Sequence, residues 1–218
     1  YTGRNRALVS GTINSLTGRG DSLNVSLMES FTTNLKNFRT SYETPIGYSG
    51  LKADVTGSIT TYKLGSEYAV NDIYGIAKTI GAGLSYPLVK TRSYALNSTA
   101  HFDHKEMGDS SNYNTTTPTA KKKVDTLTLG VNEMRKTALL GKPGTLMTSA
   151  TLVMGQTSME NAQATTNDAT LKSGGDFGKV TASVTHTQYF TPEASLISTL
   201  RGQTSLFSNL DSSEDFSM

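Results

Sequence analysis

The sequence predicts an all-β fold, an antiparallel up-and-down transmembrane β-barrel present only in part. Three observations point there. Apolar and polar residues alternate with period two over long runs, the runs exceed globular strand length, and short connections alternate with long ones.

Ten alternating segments are read, at about 4–15, 22–31, 38–45, 51–64, 76–88, 93–107, 120–137, 145–158, 177–190 and 195–207. In the first, Ala7, Val9, Gly11 and Ile13 share one face, and Arg6, Ser10, Thr12 and Asn14 share the other. In the second, Leu23, Val25 and Leu27 oppose Ser22, Asn24 and Ser26. In "LKADVTGSITTY", Leu51, Ala53, Val55, Gly57 and Ile59 oppose Lys52, Asp54, Thr56, Ser58 and Thr60. "IGAGLSYPL" sets Ile80, Ala82, Leu84, Tyr86 and Leu88 against Gly81, Gly83 and Ser85. "SYALNSTAHFD" sets Tyr94, Leu96, Ala100 and Phe102 against Ala95, Asn97, Thr99, His101 and Asp103. "TLMTSATLVM" and "GKVTASVTHTQYF" repeat the pattern less cleanly. Such alternation makes strands with one apolar and one polar face. Helical spacing is not sustained, and Ser, Thr and Gly are poor residues for a helix interior.

Globular strands average about 5–6 residues, whereas a transmembrane strand needs about 9–11 and extends further into water. The short connections are "LTGRGD", "PIGYSG", "LVKTR", "LLGKPG" and "TPEA"; the longer ones fall at 31–37, 65–75, 108–119 and 159–176. Outer-membrane barrels have tight periplasmic turns and long surface loops, so every short turn is expected at the periplasmic rim. Tyr42, Tyr48, Tyr62, Tyr86, Phe177, Tyr189 and Phe190 lie near segment ends and are expected to form the interfacial girdles in the absence of Trp. Pattern alone also fits a soluble β-sandwich or β-helix.

Composition narrows the function classes. Hydrophobic residues are 35% and charged residues 17%, the balance being largely Ser, Thr, Asn and Gly. That is a poor supply for a two-layer core and too little charge for a disordered polyelectrolyte. A net charge of +2 gives no case for a nucleic-acid partner. "KKK" at 121–123 reads as a solvated strand end. Without cysteine there are no disulfides or thiolate metal sites. No stretch approaches the 18 or more consecutive apolar residues of a membrane-spanning helix. Neither a signal peptide nor an initiator Met opens the chain, which reads as an internal or processed piece.

Several spaced motifs resemble the TpsB outer-membrane transporters of two-partner secretion, the haemolysin and haemagglutinin secretion proteins related to BamA. "YTGRNRA" at 1–7 is similar to that family's Thr-Gly-x-x-Arg element. "NSLTGRGDSLNVSL" resembles its Asn-Pro-Leu-Gly-x-Gly-Asp-x-Leu turn through Asn14, Gly18, Gly20 and Asp21, with Ser15 where Pro is usual and one extra residue. "YETPIGYSGLKADVTGSITTYKLG" resembles Tyr-x-x-Pro-Leu-Gly and the strand after it, through Pro45 and Gly47. "GAGLSYPLVKTRSYAL" resembles the Leu-Ser-Tyr-Pro-Leu stretch through Tyr86 and Pro87, and 202–218 resembles the approach to the sixth surface loop. The resemblance implies two POTRA domains before a sixteen-stranded barrel. Residues 1–218 would then be part of the barrel domain, about ten strands from the second to the eleventh. An open sheet would leave unpaired edges in lipid, so further strands are expected. It also implies a translocation pore that secretes a large β-rich exoprotein to the cell surface without ATP or a redox cofactor.

Other chemistry is weak. In "HFDH", His101 and Asp103 share a strand face while His104 points away, a poor metal trio. Ser, His186 and Asp occur without a nucleophile elbow, and "GAG" at 81–83 lacks the rest of a dinucleotide fingerprint. No enzyme activity, metal or cofactor is therefore expected. The sequons at Asn24, Asn97 and Asn114 read as accidental. Lys52, Asp54, His101, Asp103, Arg201 and Gln203 lie on polar faces and are expected to face the lumen, since charge is costly in hydrocarbon. Expected partners are an exoprotein, outer-membrane lipid and lipopolysaccharide. The alternatives are a passive porin, or a secreted adhesin using Arg19-Gly20-Asp21. For that tripeptide a hairpin turn is the preferred reading, with Gly18 and Gly20 at positive φ and Asp21 bonded back onto the turn.

Overall fold

The period-two runs become strands. The structure, a computed structural model, describes residues 5–30, 35–63, 73–111, 119–139, 141–162, 164–166 and 174–206. Ten strands follow in order: β1 (Arg6–Asn14), β2 (Ser22–Ser30), β3 (Lys36–Pro45), β4 (Lys52–Lys63), β5 (Ile73–Lys90), β6 (Tyr94–Ser111), β7 (Thr119–Leu139), β8 (Lys142–Met159), β9 (Gly175–Tyr189) and β10 (Ser195–Ser205). They form one sheet in sequence order, each strand antiparallel to the next. This is the expected up-and-down meander. The Thr-Gly-x-x-Arg element through residue 4, the Asn114 sequon and residues 207–218 lie outside the described residues.

Register shows the two faces. One row crosses the sheet as Leu23, Tyr42, Val55, Ala82, Phe102, Leu127 and Met154. On the opposite face a row runs Arg39, Ser58, Thr79, Lys105, Val124 and Thr157. The apolar face is the exposed one: Val55 is 54% and Phe102 49% exposed. The only hydrophobic cluster of buried residues among those described is Val124, Val153 and Phe177, with Met107 against it, and it lies on the polar face. In a single-layer sheet one face is buried more than the other when its side chains converge on the concave side.

Strands β5 to β8 have 18, 18, 21 and 18 residues, longer than their alternation suggested. The ends of β6 and β7 toward the long connections are largely polar on both faces, in "HKEMGDSS" and "TAKKKVD", so the period fades there while the ladder continues. Eighteen residues reach roughly 60 Å, against an apolar band about 25 Å tall. Connections 15–21, 46–51, 91–93, 140–141 and 190–194 share one edge, and 31–35, 64–72, 112–118 and 160–174 the other. The connection at 31–35 is no longer than 15–21, because β3 begins earlier than read; the length contrast grows further along.

The first turn is built around Asp21, which is 1% exposed. The Thr17 amide donates to its two carboxylate oxygens at 3.1 and 3.2 Å, the Thr17 hydroxyl at 2.8 Å, and the Tyr42 hydroxyl at 3.1 Å. Gly18 and Gly20 have φ of 76° and 80°, as the turn requires. Ser15 has φ 58°, which the ring of Pro forbids, so the loss of the family's Pro goes with a different entry into the turn. Burial opposes ionisation of Asp21, but the hydrogen bonds from Thr17 and Tyr42 outweigh it and hold the carboxyl below its ordinary 3.8. A depressed folded pKa stabilises above the unfolded value and is lost as pH falls through the folded one. Asp21→Ala is expected to lower the temperature at which the folded, fast-migrating gel form converts at neutral pH, Asp21→Asn to lower it less, and the gap from wild type to close in acid. An Ala variant melting with wild type at pH 7 contradicts the assignment.

Candidate functional site

The polar face brings the sequence-predicted charged residues together in two groups. Lys52 and Asp54 on β4 pair in register with Ser85 and Gly83 on β5, and Gly83 and Gly81 pair with His101 and Asp103 on β6. His101 bridges two carboxylates, Nε2 to Asp54 and Nδ1 to Asp103, each at 3.1 Å. Its ring lies over the glycines: a Cβ on Gly81 or Gly83 would come within 2.5 Å of the imidazole. Lys52 pairs with Glu43 at 2.7 Å. Arg201 and Gln203 sit far across the sheet on β10, opposite Ser183 and Thr181, and register carries the same face to them through β7, β8 and β9. Between the groups a depression of about 380 Å³ is lined by Arg39, Asp103, Lys105, Thr128 and Lys179. Its mixed charge offers many weak contacts and no single deep pocket.

Three aromatic assignments need correction. Tyr62, Phe177 and Tyr189 do not join the girdles of the apolar face. Tyr62 lies over Gly75 on the polar face and donates its hydroxyl to Asp109. Phe177 is 1% exposed and lies over Gly155. Glycines on neighbouring strands make room for these rings, which sequence periodicity does not show. Tyr42 and Tyr86 do lie on the apolar face near the short-turn edge, joined by Tyr94 with Arg135 5.3 Å from its ring. Tyr48 is fully exposed in its turn, and Tyr189 lies on the polar face beside Ser195.

The remaining motif residues are structural. Asn14 closes β1 opposite Ser22, and Pro45 closes β3 opposite Lys52. Gly47 has φ 66° in the second turn. Pro87 stands at a register irregularity before Val89, where a proline without an N–H is tolerated; a Cβ on Gly50 would meet its ring at 2.8 Å. His104 points to the other face, as read, and meets Asp125 at 2.6 Å. Among the described residues no group of three or more His, Cys, Asp or Glu is placed to hold a metal ion.

A one-layer antiparallel sheet with an outward apolar band and a recessed polar face is the wall of a transmembrane β-barrel. The full span 1–218 matches the family of haemolysin secretion/activation proteins ShlB/FhaC/HecB, and the chain belongs to that family, whose barrels lie in the outer membrane. The heme/hemopexin transporter protein HuxB of one Haemophilus influenzae strain is 33% identical over 132 residues, 61% of this chain and 23% of the relative. HuxB of a second strain is 32% identical over the same span. The chain thus spans about a quarter of the length of these curated relatives. The solved structure of CdiB from Escherichia coli superposes with a TM-score of 0.76 at 19% identity, covering 96% of this chain and 38% of that one, which supports the fold.

Proposed function

We propose that residues 1–218 are part of the barrel domain of a two-partner secretion transporter, closed by further strands, that passes an exoprotein from periplasm to cell surface. The observation that carries this reading is the continuous polar face in a chain of the haemolysin secretion/activation family. That face is the lumen wall, and Lys52, Asp54, His101, Asp103, Arg201 and Gln203 face the passing chain. Hydroxyls and paired charges offer an extended peptide exchangeable hydrogen bonds without holding it. The short-turn edge is periplasmic and the long-connection edge faces outward. The apolar face meets lipid, with lipopolysaccharide outside. The family is named for secretion and activation, which fits a transporter without a catalytic step.

A photo-crosslinking residue at Gln203 or Thr128 of the full-length protein is expected to capture the exoprotein during export, while one at Leu129, on the other face, captures none. A passive porin would give no exoprotein adduct from any position, and that result overturns the reading.

A further inference from the structure

The apolar face changes character abruptly along β5 to β7. Beside the row Ala82, Phe102, Leu127 come Ile80, His104, Asp125, then Lys78, Glu106, Lys123, then Ile76, Gly108, Lys121. Each step is about 7 Å along the strands. The face thus passes from hydrocarbon-compatible to charged within one step, on the side of the long connections.

Most of these charges satisfy one another. His104 pairs with Asp125 at 2.6 Å and approaches Glu106 at 3.7 Å. Lys123 is held by Glu160 at 2.6 Å and Glu106 at 3.5 Å. Lys78 and Lys121 form no ion pair among the described residues. They stand diagonally across β6, Lys78 opposite Glu106 and Lys121 opposite Gly108, about 12 Å apart between backbones, within reach of a common anion for two lysine side chains. Together with Ile76 they line a depression of about 240 Å³; its acids, Glu106 and Glu160, are the ones bound to Lys123. Lys78 also caps a second, apolar groove of about 500 Å³ lined by Phe38, Val55, Ile59 and Ile80. Gly57 forms its floor, where the nearest atom to an added Cβ is a Thr40 methyl at 3.7 Å. An apolar groove leading to two unpaired lysines complements a molecule with an acyl chain and a phosphate.

We propose that this stretch of β3 to β7 is a binding site for the lipid A portion of lipopolysaccharide. An acyl chain occupies the Gly57 groove and a lipid A phosphate sits between Lys78 and Lys121. The outer leaflet presents phosphorylated, multiply acylated glucosamine at this level, which selects lipid A over a glycerophospholipid. The site rests on the outward orientation of the long-connection edge given above.

The test uses the full-length barrel purified in mild detergent and examined by native mass spectrometry. It is titrated with bisphosphorylated lipid A, the same lipid A dephosphorylated, and phosphatidylglycerol. Each lysine near an anionic group contributes roughly fivefold, so the bisphosphorylated form is expected to bind about thirtyfold more tightly than the dephosphorylated one. Lys78→Gln with Lys121→Gln abolishes the preference. Lys36→Gln, whose lysine pairs with Glu29 at 3.1 Å, keeps it. Equal retention of the two lipid A forms by wild type overturns the site, and so does a preference for phosphatidylglycerol. The wild-type comparison needs no variant, so a misfolded double variant leaves it decisive. Orientation is read separately: a cysteine at Thr165 is expected to label from outside intact cells. No labelling there overturns the assignment to the outer leaflet, whereas labelling without a phosphate preference overturns the lipid site alone.

Discussion

Leu129→Arg is expected to destabilise the folded barrel by about 2–4 kcal/mol, the cost of an arginine on the lipid face near mid-membrane. Leu129 lies between Ala100 and Leu152 in an apolar row, and is 39% exposed. Nothing polar in that row answers a guanidinium. Thr151, the neighbour of Leu152 in sequence, points to the opposite face, between Gly130 and Thr181 in register. Thr151→Arg sits at the same height yet is expected to change stability by less than about 1 kcal/mol, because its charge meets water. The measurement is denaturant unfolding of the full-length barrel in lipid bilayers. An arginine at Thr151 costing as much as one at Leu129 reverses the assignment of faces, and with it the lumen wall.

The same contrast explains what was legible in the sequence. Alternation survives wherever one face meets hydrocarbon and the other water. "SYALNSTAHFD" therefore shows both strand and facing correctly, as does "IGAGLSYPL" up to Tyr86, beyond which the irregularity at Pro87 leaves Leu88 out of the ladder and puts Val89 opposite Leu96. His101 and His104 separate to opposite faces as the alternation predicts. Where both faces are wet, the selective pressure that writes the period is absent, and the outer end of β6 runs on to Ser111 past the alternation that ends at 107, whereas β7 and β8 extend mainly at the short-turn edge. The turn at 15–21 was legible because glycine at positive φ and a backward-bonding Asp are local requirements. Cross-strand pairings were not. Asp54 meets His101 across 47 positions, and Tyr62 meets Asp109 across another 47. Those contacts depend on register, and register is a sum over the whole ladder, not a property of either segment.

Phe177→Ala is expected to cost about 3–5 kcal/mol, the range for emptying a buried aromatic site, although its place near the start of β9 predicts an interfacial residue. The reason lies in the solvent on each side. On the lipid face, moving an apolar side chain against its neighbours removes it from hydrocarbon, not from water, so burial there gains little. On the wet face the hydrophobic effect operates in full. That is why Val124, Val153 and Phe177 are buried there, at 0%, 8% and 1% exposure, while Phe102 stays 49% exposed on the other side. Gly155 makes the arrangement possible: a Cβ there would lie 2.5 Å from the Phe177 ring and 2.7 Å from the Asp125 carbonyl oxygen. Gly155→Ala is thus destabilising alone, and part of its cost is expected to vanish in a Phe177→Ala background, leaving the part due to the Asp125 carbonyl. A coupling of about 0.5–3 kcal/mol in that double-mutant cycle is the signature of direct contact. Strictly additive effects would separate the ring from the glycine, and a Phe177→Ala cost no larger than that of Phe102→Ala would remove the case for water on that face.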